Sequence, residues 1–419
     1  MQFSRFATQL SSESGIISLM EDLGSALGSD QKMYMLGGGN PSHIPEMERY
    51  FREQMLAISS DESQFAAMVG DYDGPQGNQG FINLLAEFFN ELYGWPIGPE
   101  NIAITNGSQA GFGLLFNTLA GETPDGDFNQ VLLPLTPEYI GYGDVGHDER
   151  PLFTARKPII EHLDDTFFKY HVDFKQIDIE DHIGVVCVSR PTNPTGNVIS
   201  DQELGHLADL TRDAGVPLII DSAYGVPFPN IIFSEATPLW DEHIILCFSL
   251  SKLGLPGVRT GIIVADAAII ERIRNANAIF ALAPGSVGPA LLRQSIQSRE
   301  LIDLCRDSLN PYYLRKRDEA IAQIKDSMAD LPVRIHQPEG AIFLWLWFAN
   351  LPISVQELYQ RLKARNVLVI AGNHIFPGLE EEWQHKHECI RITYSSDSES
   401  VHRGIAMIAE EVWRAYAQG

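Results

Sequence analysis

The chain has 419 residues, of which 44% are hydrophobic and 20% charged, and this composition excludes a mainly disordered protein. A formal net charge of -25 argues against a general attraction to nucleic acid or anionic membranes. The longest apolar run, Ala341 to Ala349, is about half of the roughly 20 residues that a membrane-spanning helix needs. Without a secretory signal pattern, and with four widely spaced cysteines, the sequence predicts a cytoplasmic protein that lacks disulfides.

Between residues 100 and 265, short apolar runs alternate with helix-like stretches, which is typical of a mainly parallel sheet covered on both faces. One crossover helix has clear ends, because Ser200 and Glu203 match a capping box and Gly215 matches a terminating glycine. The segment Gly121 to Asn129, rich in Gly and Asp, is predicted to be a surface loop. The predicted strands are Ile102 to Thr105, Val131 to Leu135, Ile183 to Ser189, Val216 to Ile220, Ile244 to Phe248 and Gly261 to Ala265.

After about residue 308 the pattern changes to that of a smaller α+β domain. The turn Gly37 to Pro41 could reach a cleft between the two domains, so we assign residues 1–45 and 309–419 to the small domain. Residues 46–308 then form the large domain. The elements predicted for the small domain are a helix at Tyr312 to Met328, a strand at Ala341 to Phe348, a helix at Val355 to Arg365, a strand at Cys389 to Thr393 and a closing helix.

Polar residues follow several of the predicted strands, at the edge of the sheet where ligands bind in open parallel sheets. The segment Asn106 to Gln109 precedes an apolar helix, and its glycine and the free amides of the helix start suit a phosphate. By itself this pattern also fits an ordinary capped turn. Asp221 follows four apolar residues and needs a cationic partner, for which a salt bridge to an internal arginine is the structural alternative.

Two cations follow the strand Ile244 to Phe248. Lys252 lies near its end, where desolvation would lower the pKa of the amine and make it a nucleophile toward aldehydes. Arg259 comes seven residues later, after a glycine-rich turn. A buried acid, an amine and an anion cradle fit pyridoxal phosphate better than a dinucleotide, because that cofactor has an aldehyde, a ring nitrogen and a phosphate.

These residues belong to ordered blocks by which the sequence resembles the fold type I pyridoxal-phosphate aminotransferases along most of its length. The resemblance implies an α/β, aspartate-aminotransferase-like fold, whose large domain binds the cofactor on a mainly parallel seven-stranded sheet. The blocks are Tyr72 to Gly77, Asn106 to Gln109, Pro137 to Tyr139, Asn193 to Gly196, Asp221 to Tyr224 and Ser249 to Arg259, with Arg391 near the C-terminus.

The resemblance also implies the role of each site residue. Lys252 would form the covalent link to pyridoxal 5'-phosphate, Asp221 would face the ring nitrogen, and with Tyr224 these would be the catalytic residues. Arg391 would bind the substrate α-carboxylate, aided by Asn193 and the Gly39 amide. The implied cofactor-binding residues are Lys252, Asp221, Tyr224, Asn193, Tyr139, Gly107, Ser108, Gln109, Ser249 and Arg259, with Tyr72 reaching in from the other subunit of a homodimer.

The implied activity is transfer of an amino group between a small aliphatic amino acid and a 2-oxo acid, with L-valine and pyruvate as the pair. Apolar residues such as Ile16, Ile17 and Phe343 suggest a small aliphatic pocket. Another aminotransferase specificity or a C–S lyase of the same fold stays an alternative. A distant one is a Ser–Lys hydrolase, because Ser249-x-x-Lys252 matches a hydrolase motif.

His385 and His387 raise the question of a metal site. They lie on a charged loop that is atypical of the resembled family, and no further ligands stand beside them. We therefore expect two solvated histidines and no metal.

Overall fold

The computed structural model describes residues 32–418, together with positions 2–4, 7, 17, 20–21 and 24. The strands in these residues are β1 (Tyr34–Met35), β2 (Ile102–Thr105), β3 (Gly121–Glu122), β4 (Phe128–Leu133), β5 (Phe153–Ala155), β6 (Ile159–His162), β7 (Phe167–His171), β8 (Ile183–Ser189), β9 (Leu218–Asp221), β10 (Ile244–Ser249), β11 (Gly261–Val264), β12 (Val333–His336), β13 (Phe343–Phe348), β14 (Val367–Leu368), β15 (Ile370–Ala371) and β16 (Cys389–Thr393). The α-helices are α1 (Pro45–Ser60), α2 (Glu62–Val69), α3 (Gln79–Tyr93), α4 (Ser108–Leu119), α5 (Asp201–Ala214), α6 (Ala267–Ala281), α7 (Val287–Gln297), α8 (Glu300–Leu304), α9 (Asn310–Ser327), α10 (Val355–Lys363) and α11 (Ser398–Gln418).

The first sheet has the strand order β2-β11-β10-β9-β8-β4-β3, and β5 pairs with β4. Strands β5, β4, β8, β9 and β10 run parallel, whereas β11 is antiparallel to both of its neighbours. The sequence predicted seven strands, but this sheet has eight. The difference is β3, which forms an antiparallel hairpin with the start of β4, so the predicted surface loop at Gly121 to Asn129 is partly wrong.

The central strands of the first sheet are buried because helices cover both faces. Leu204 and Leu207 of α5 are almost fully buried, as the apolar stripe of a covering helix should be. The predicted ends of this helix are confirmed: the Glu203 N–H donates to the Ser200 hydroxyl at 3.2 Å, and Gly215 has a φ of 69°. This crossover leads into β9 and so delivers Asp221 to the carboxyl edge of the sheet.

The second sheet has the order β15-β16-β13-β12-β7-β6. Strands β12, β13, β15 and β16 come from the predicted small domain. The hairpin β6–β7 comes from within residues 46–308, yet it pairs with β12 through β7. Near the N-terminus, β1 pairs in parallel with β14, which directly precedes β15 of the second sheet along the chain. Both sheets therefore draw strands from distant parts of the sequence.

The four cysteines are free and buried. None of the helices in the described residues combines the length and the apolar character that crossing a bilayer would require. The expectation of a solvated loop is wrong for His385, which is 4% exposed and stacks on Trp383, with ring centroids 4.5 Å apart. His387, by contrast, is more exposed, and its nearest acidic partner is Glu382 at 3.8 Å.

Candidate active site

Lys252 lies just beyond β10, in the short 3₁₀ helix Ser251–Leu253. Its Nζ donates a hydrogen bond to the Gly39 carbonyl oxygen at 2.6 Å and lies 5.2 Å from the centre of the Tyr224 ring. Burial of the amine, reinforced by the positive charge of Arg391, lowers the pKa of Lys252 to about 8. A substantial fraction of the amine is therefore neutral near physiological pH, as a nucleophile toward an aldehyde must be.

Asp221 is the last residue of β9, and its side chain is buried. The Tyr142 hydroxyl donates to Oδ2 at 2.6 Å, and the Ala223 N–H donates to Oδ1 at 2.8 Å. Burial raises the pKa of Asp221 to about 6, although these hydrogen bonds and the charge of Lys252 act in the opposite direction. Within residues 32–418 no arginine forms an ion pair with Asp221, so the alternative of an internal salt bridge is wrong. The acid still lacks a directly bonded cation.

An anion cradle forms where the first sheet meets the start of α4. Gly107 has a φ of 90°, and a Cβ there would overlap the guanidinium of Arg259, so this cation packs directly on the backbone. A Cβ at Gly261 would lie 2.6 Å from the Ser108 amide nitrogen, which shows how closely β11 approaches the helix start. A helix N-terminus and an adjacent arginine together favour a bound phosphate.

Gln109 and Tyr139 line the space next to this cradle. The Gln109 Nε2 donates to the Gly141 carbonyl at 2.7 Å, whereas its Oε1 is buried and has no hydrogen-bond partner in the part of the chain that the structure describes. Tyr139 is close enough to both Asp221 and Arg391 for their charges to act on the pKa of its hydroxyl, which burial raises. Its hydroxyl is therefore near charged groups of both sheets.

Arg391 lies in the middle of β16 and is 3% exposed. One terminal nitrogen donates to the Asn193 side-chain oxygen at 2.6 Å, and the other donates to the Gly37 carbonyl at 2.6 Å. The guanidinium lies 4.1 Å from the centre of the Phe343 ring, and its Nε atom is buried without a hydrogen-bond partner among the described residues. Burial lowers the pKa of Arg391 to about 10. Because a buried cation without an ion pair is costly, this group is suited to receive a carboxylate.

The remaining predicted residues lie close to these groups. Ser249 ends β10 and is buried. Tyr224 is buried and packs edge-on against Phe343, with ring centroids 6.0 Å apart. A Cβ at Gly39 would lie 3.9 Å from the Lys252 Nζ, so the N-terminal turn reaches the site as predicted. Their individual roles toward a cofactor or substrate stay predictions.

Two of the predicted residues are exposed, and a third lies outside the described residues. Tyr72 is 86% exposed and so does not line the buried site of its own chain. Ile17 is 36% exposed, and Ile16 lies outside the described residues. Of the two described residues singled out for the small aliphatic pocket, only Phe343 is buried at the site.

Sequence reasoning missed two polar neighbours of Asp221. Tyr142, which donates to this acid, lies three residues after Tyr139, so one turn of 3₁₀ helix carries both rings into the site. Glu138 belongs to a block that the resemblance identified, but no role was assigned to it. It is fully buried and accepts a hydrogen bond from the Ser189 N–H at 2.8 Å.

The family model described as "Aminotransferase class I and II" matches residues 151–408. Over 418 residues, covering 100% of both chains, the protein is 50% identical to the valine–pyruvate aminotransferase of Escherichia coli (strain K12). The chain belongs to the class I and II aminotransferases. This membership makes the Ser–Lys hydrolase alternative wrong, in agreement with the position of Ser249 at a strand end.

Two solved aminotransferase structures show how far the similarity extends. The valine-pyruvate aminotransferase from Salmonella typhimurium LT2 matches with a TM-score of 0.89 and 48% identity, over 96% of this chain and 100% of that one. The aspartate aminotransferase from Thermus thermophilus matches with a TM-score of 0.76 and 17% identity, over 98% and 100% of the two chains. The predicted aspartate-aminotransferase-like fold is confirmed.

Proposed function

We propose that the protein is a pyridoxal 5'-phosphate-dependent aminotransferase that converts L-valine and pyruvate to 2-oxoisovalerate and L-alanine. The observation that carries this proposal is the meeting of a desolvated amine, a buried acid and a buried arginine at Lys252, Asp221 and Arg391, where no described residue forms an ion pair with the arginine. The substrate pair is supported by the full-length similarity to an enzyme named for valine and pyruvate.

The site fits this cofactor because some of its buried polar atoms have no hydrogen-bond partner among the described residues. Pyridoxal 5'-phosphate, when bound, supplies an aldehyde that combines with an amine and a protonated ring that accepts electrons from the substrate Cα. Lys252 would hold the aldehyde end, and Asp221 would supply the negative charge that a protonated ring nitrogen needs. The cradle at Gly107 and Arg259 would hold the phosphate. The remaining cofactor-binding residues that we propose are Ser108, Gln109, Tyr139, Asn193, Tyr224 and Ser249.

Lys252 is placed to move protons as well as to bind. With a pKa of about 8, its amine can take up a proton near neutral pH and return it from the ammonium form. The Gly39 carbonyl, 2.6 Å from Nζ, holds the ammonium form in a defined position. Burial, reinforced by the nearby Arg391 charge, lowers the pKa of the amine below that of an exposed, permanently protonated lysine.

Arg391 would bind the substrate carboxylate. Asn193 and Gly37 already fix both terminal nitrogens of the guanidinium, so little side-chain entropy is lost when a substrate arrives. The Phe343 ring beneath the guanidinium excludes water from one face. A carboxylate held here would orient the amino group of the substrate toward Lys252.

We also propose a homodimer in which Tyr72 completes the site of the partner subunit. Tyr72 is highly exposed on its own chain, and large apolar side chains are exposed at Ile279, Phe280 and Leu282. Large apolar side chains that are exposed on a single chain are typical of a protein–protein contact. The cytoplasmic location stays a prediction from the sequence.

The decisive experiment measures amino-group transfer by the purified, cofactor-loaded protein from a panel of L-valine, L-alanine, L-leucine and L-methionine. Pyruvate and 2-oxoisovalerate serve as acceptors. We expect the highest kcat/KM for valine with pyruvate and for alanine with 2-oxoisovalerate. A preference for a different donor would support another specificity, and release of ammonia and pyruvate from a thioether amino acid without an acceptor would support the C–S lyase alternative.

A further inference from the structure

Glu138 is a buried acid to which the proposed reaction assigns no role. Its side chain is fully buried between the end of β8 and the turn that carries Tyr139. The Ser189 N–H donates to Oε1 at 2.8 Å, the Tyr139 N–H donates to Oε2 at 3.3 Å, and the Ser189 hydroxyl lies 2.5 Å from Oε2. In the part of the chain that the structure describes, no cationic side chain pairs with it.

The surroundings of Glu138 favour its neutral form. Burial raises the pKa of Glu138 to about 8, which outweighs the opposing effect of the hydrogen bonds from Ser189, and the negative charge of Asp221 adds to the rise. The titratable groups that face this acid are Asp221 on β9, Cys187 on β8, and Tyr139 and Tyr142 in the turn after β4. None of these groups can carry a positive charge.

Two hydroxyl groups near Glu138 have one hydrogen each to donate. Tyr142 has one, and it points to Asp221 at 2.6 Å. Ser189 also has one, and its Oγ lies 2.5 Å from Glu138 and 3.4 Å from the Tyr142 hydroxyl. If Glu138 is ionised, Ser189 must donate to it. If Glu138 is neutral, its own O–H donates to the Ser189 hydroxyl across the 2.5 Å contact. The Ser189 hydroxyl can then donate its hydrogen to Tyr142.

We propose that Glu138 is a positioning residue, held as a neutral carboxylic acid, that donates to Ser189 and thereby completes a hydrogen-bond chain through Tyr142 to Asp221. In this arrangement every hydroxyl donates toward Asp221, which fixes the orientation of that carboxylate. The neutral acid also keeps a second buried negative charge away from the group that Asp221 binds. Only the identity of that group, the cofactor ring nitrogen, rests on the proposed function.

Glu138→Gln is the central test variant, because glutamine has the shape of the neutral acid and can donate its amide hydrogen to Ser189. Infrared difference spectra between the full-length wild type and this variant report the protonation state directly. At neutral pH we expect the wild type to show an additional C=O stretching band of a protonated carboxylic acid, which is lost as the pH rises through about 8. A carboxylate signal at neutral pH in place of that band would overturn the proposal.

Thermal unfolding as a function of pH gives a second measurement. A folded-state pKa raised above the unfolded value stabilises the protein at low pH, and this stabilisation is lost as the pH rises toward the folded pKa. The melting temperature of the wild type should therefore fall relative to that of Glu138→Gln by a few degrees between about pH 6 and about pH 8. The contributions of titrating groups that do not interact with Glu138 cancel in this comparison, and the contribution of Asp221, whose pKa is about 6, should lie mainly at the acid end of the range. A constant difference across the range would contradict the proposal.

Ser189→Ala keeps the test valid if the glutamine variant fails to fold. Here Glu138 stays in place but loses its acceptor, so the carboxylic acid band should move to the frequency of a more weakly hydrogen-bonded acid. An unchanged frequency would overturn the link through Ser189. None of these measurements involves turnover, so a wild type that fails to transaminate valine would contradict the proposed function alone. An active enzyme without the acid band would contradict only the role of Glu138.

Discussion

The two buried cations of the site are held in different ways by the two sheets. Lys252 lies on a short turn beyond β10, where its amine touches a carbonyl and the face of a tyrosine ring. Arg391 lies within β16, between β13 and β15, and two hydrogen bonds and an aromatic ring fix its guanidinium. The group that we propose to exchange protons is at a strand end, whereas the group that we propose only to bind is inside a strand. Four predictions test this division.

Replacing the amine should have the largest effect. We expect Lys252→Ala to reduce steady-state transfer between valine and pyruvate by at least about a thousandfold, because the covalent link and the proton carrier are lost together. Lys175→Ala, on the exposed surface, is the matched control and should keep wild-type turnover. Near-normal turnover by a folded Lys252→Ala protein would show that the amine of the first sheet has no such role.

Removing the charge of the buried acid should come next. Asp221→Asn keeps the shape of the side chain but cannot stabilise a cation, so we expect kcat to fall by about a hundredfold or more. Cofactor retained after dialysis should fall as well. Asp209→Asn, at an exposed surface ion pair, is the control. Wild-type kinetics for Asp221→Asn would contradict the pairing of this carboxylate with a ring cation.

At the second sheet we expect a defect in binding. Arg391→Lys keeps the positive charge but loses the two-pronged geometry, so KM for valine should rise by about 10- to 100-fold, the equivalent of one charge-assisted hydrogen bond. Cofactor retention should change much less. Arg212→Lys, at an exposed ion pair, is the matched control. A larger loss of cofactor retention than of amino-acid affinity would indicate that Arg391 holds the cofactor, as Lys252 and Asp221 are proposed to do.

The pH dependence of cofactor binding tests the same amine without changing the chain. Only the neutral amine attacks an aldehyde, and the pKa of Lys252 is about 8 in the cofactor-free protein. Below this pH, the rate at which the cofactor-free protein turns yellow with pyridoxal 5'-phosphate should rise about tenfold per pH unit, and above it the rate should level off. Stopped-flow absorbance at constant ionic strength measures this. A rate that falls with rising pH would contradict the assigned pKa.

Much of the fold could be predicted because local signals and burial agree. The capping box at Ser200 and the glycine at Gly215 set the ends of α5 without help from the rest of the molecule. The apolar run that begins at Ala341 predicted the start of the strand two residues too early, since Ala341 has a φ of 60° and the strand starts only at Phe343. The hairpin β6–β7 was not predicted, because its exposed first strand lacks the apolar run that marked the buried strands.

From the residues themselves, the site could be predicted only where a charged residue follows an apolar segment. Lys252 and Asp221 are charged residues next to apolar strands, and this contrast is visible in the sequence. An internal arginine was the alternative partner for Asp221, yet among the described residues it is Tyr142 that donates to this carboxylate, because a hydroxyl can satisfy part of a buried carboxylate without a charge. Glu138 looks like an ordinary surface residue in the sequence, and only the three-dimensional packing reveals its burial.

The hairpin β6–β7 has a consequence for motion between the two sheets. The chain leaves the first sheet at Ala155, adds two strands to the edge of the second, and returns to the first at Ile183. Residues 156–158 and 172–182 are therefore tethers, in addition to the connections near the two ends of residues 46–308. Relative movement of the two sheets over a bound amino acid would have to bend these tethers as well, and a shortened tether would oppose that movement without altering any side chain of the site.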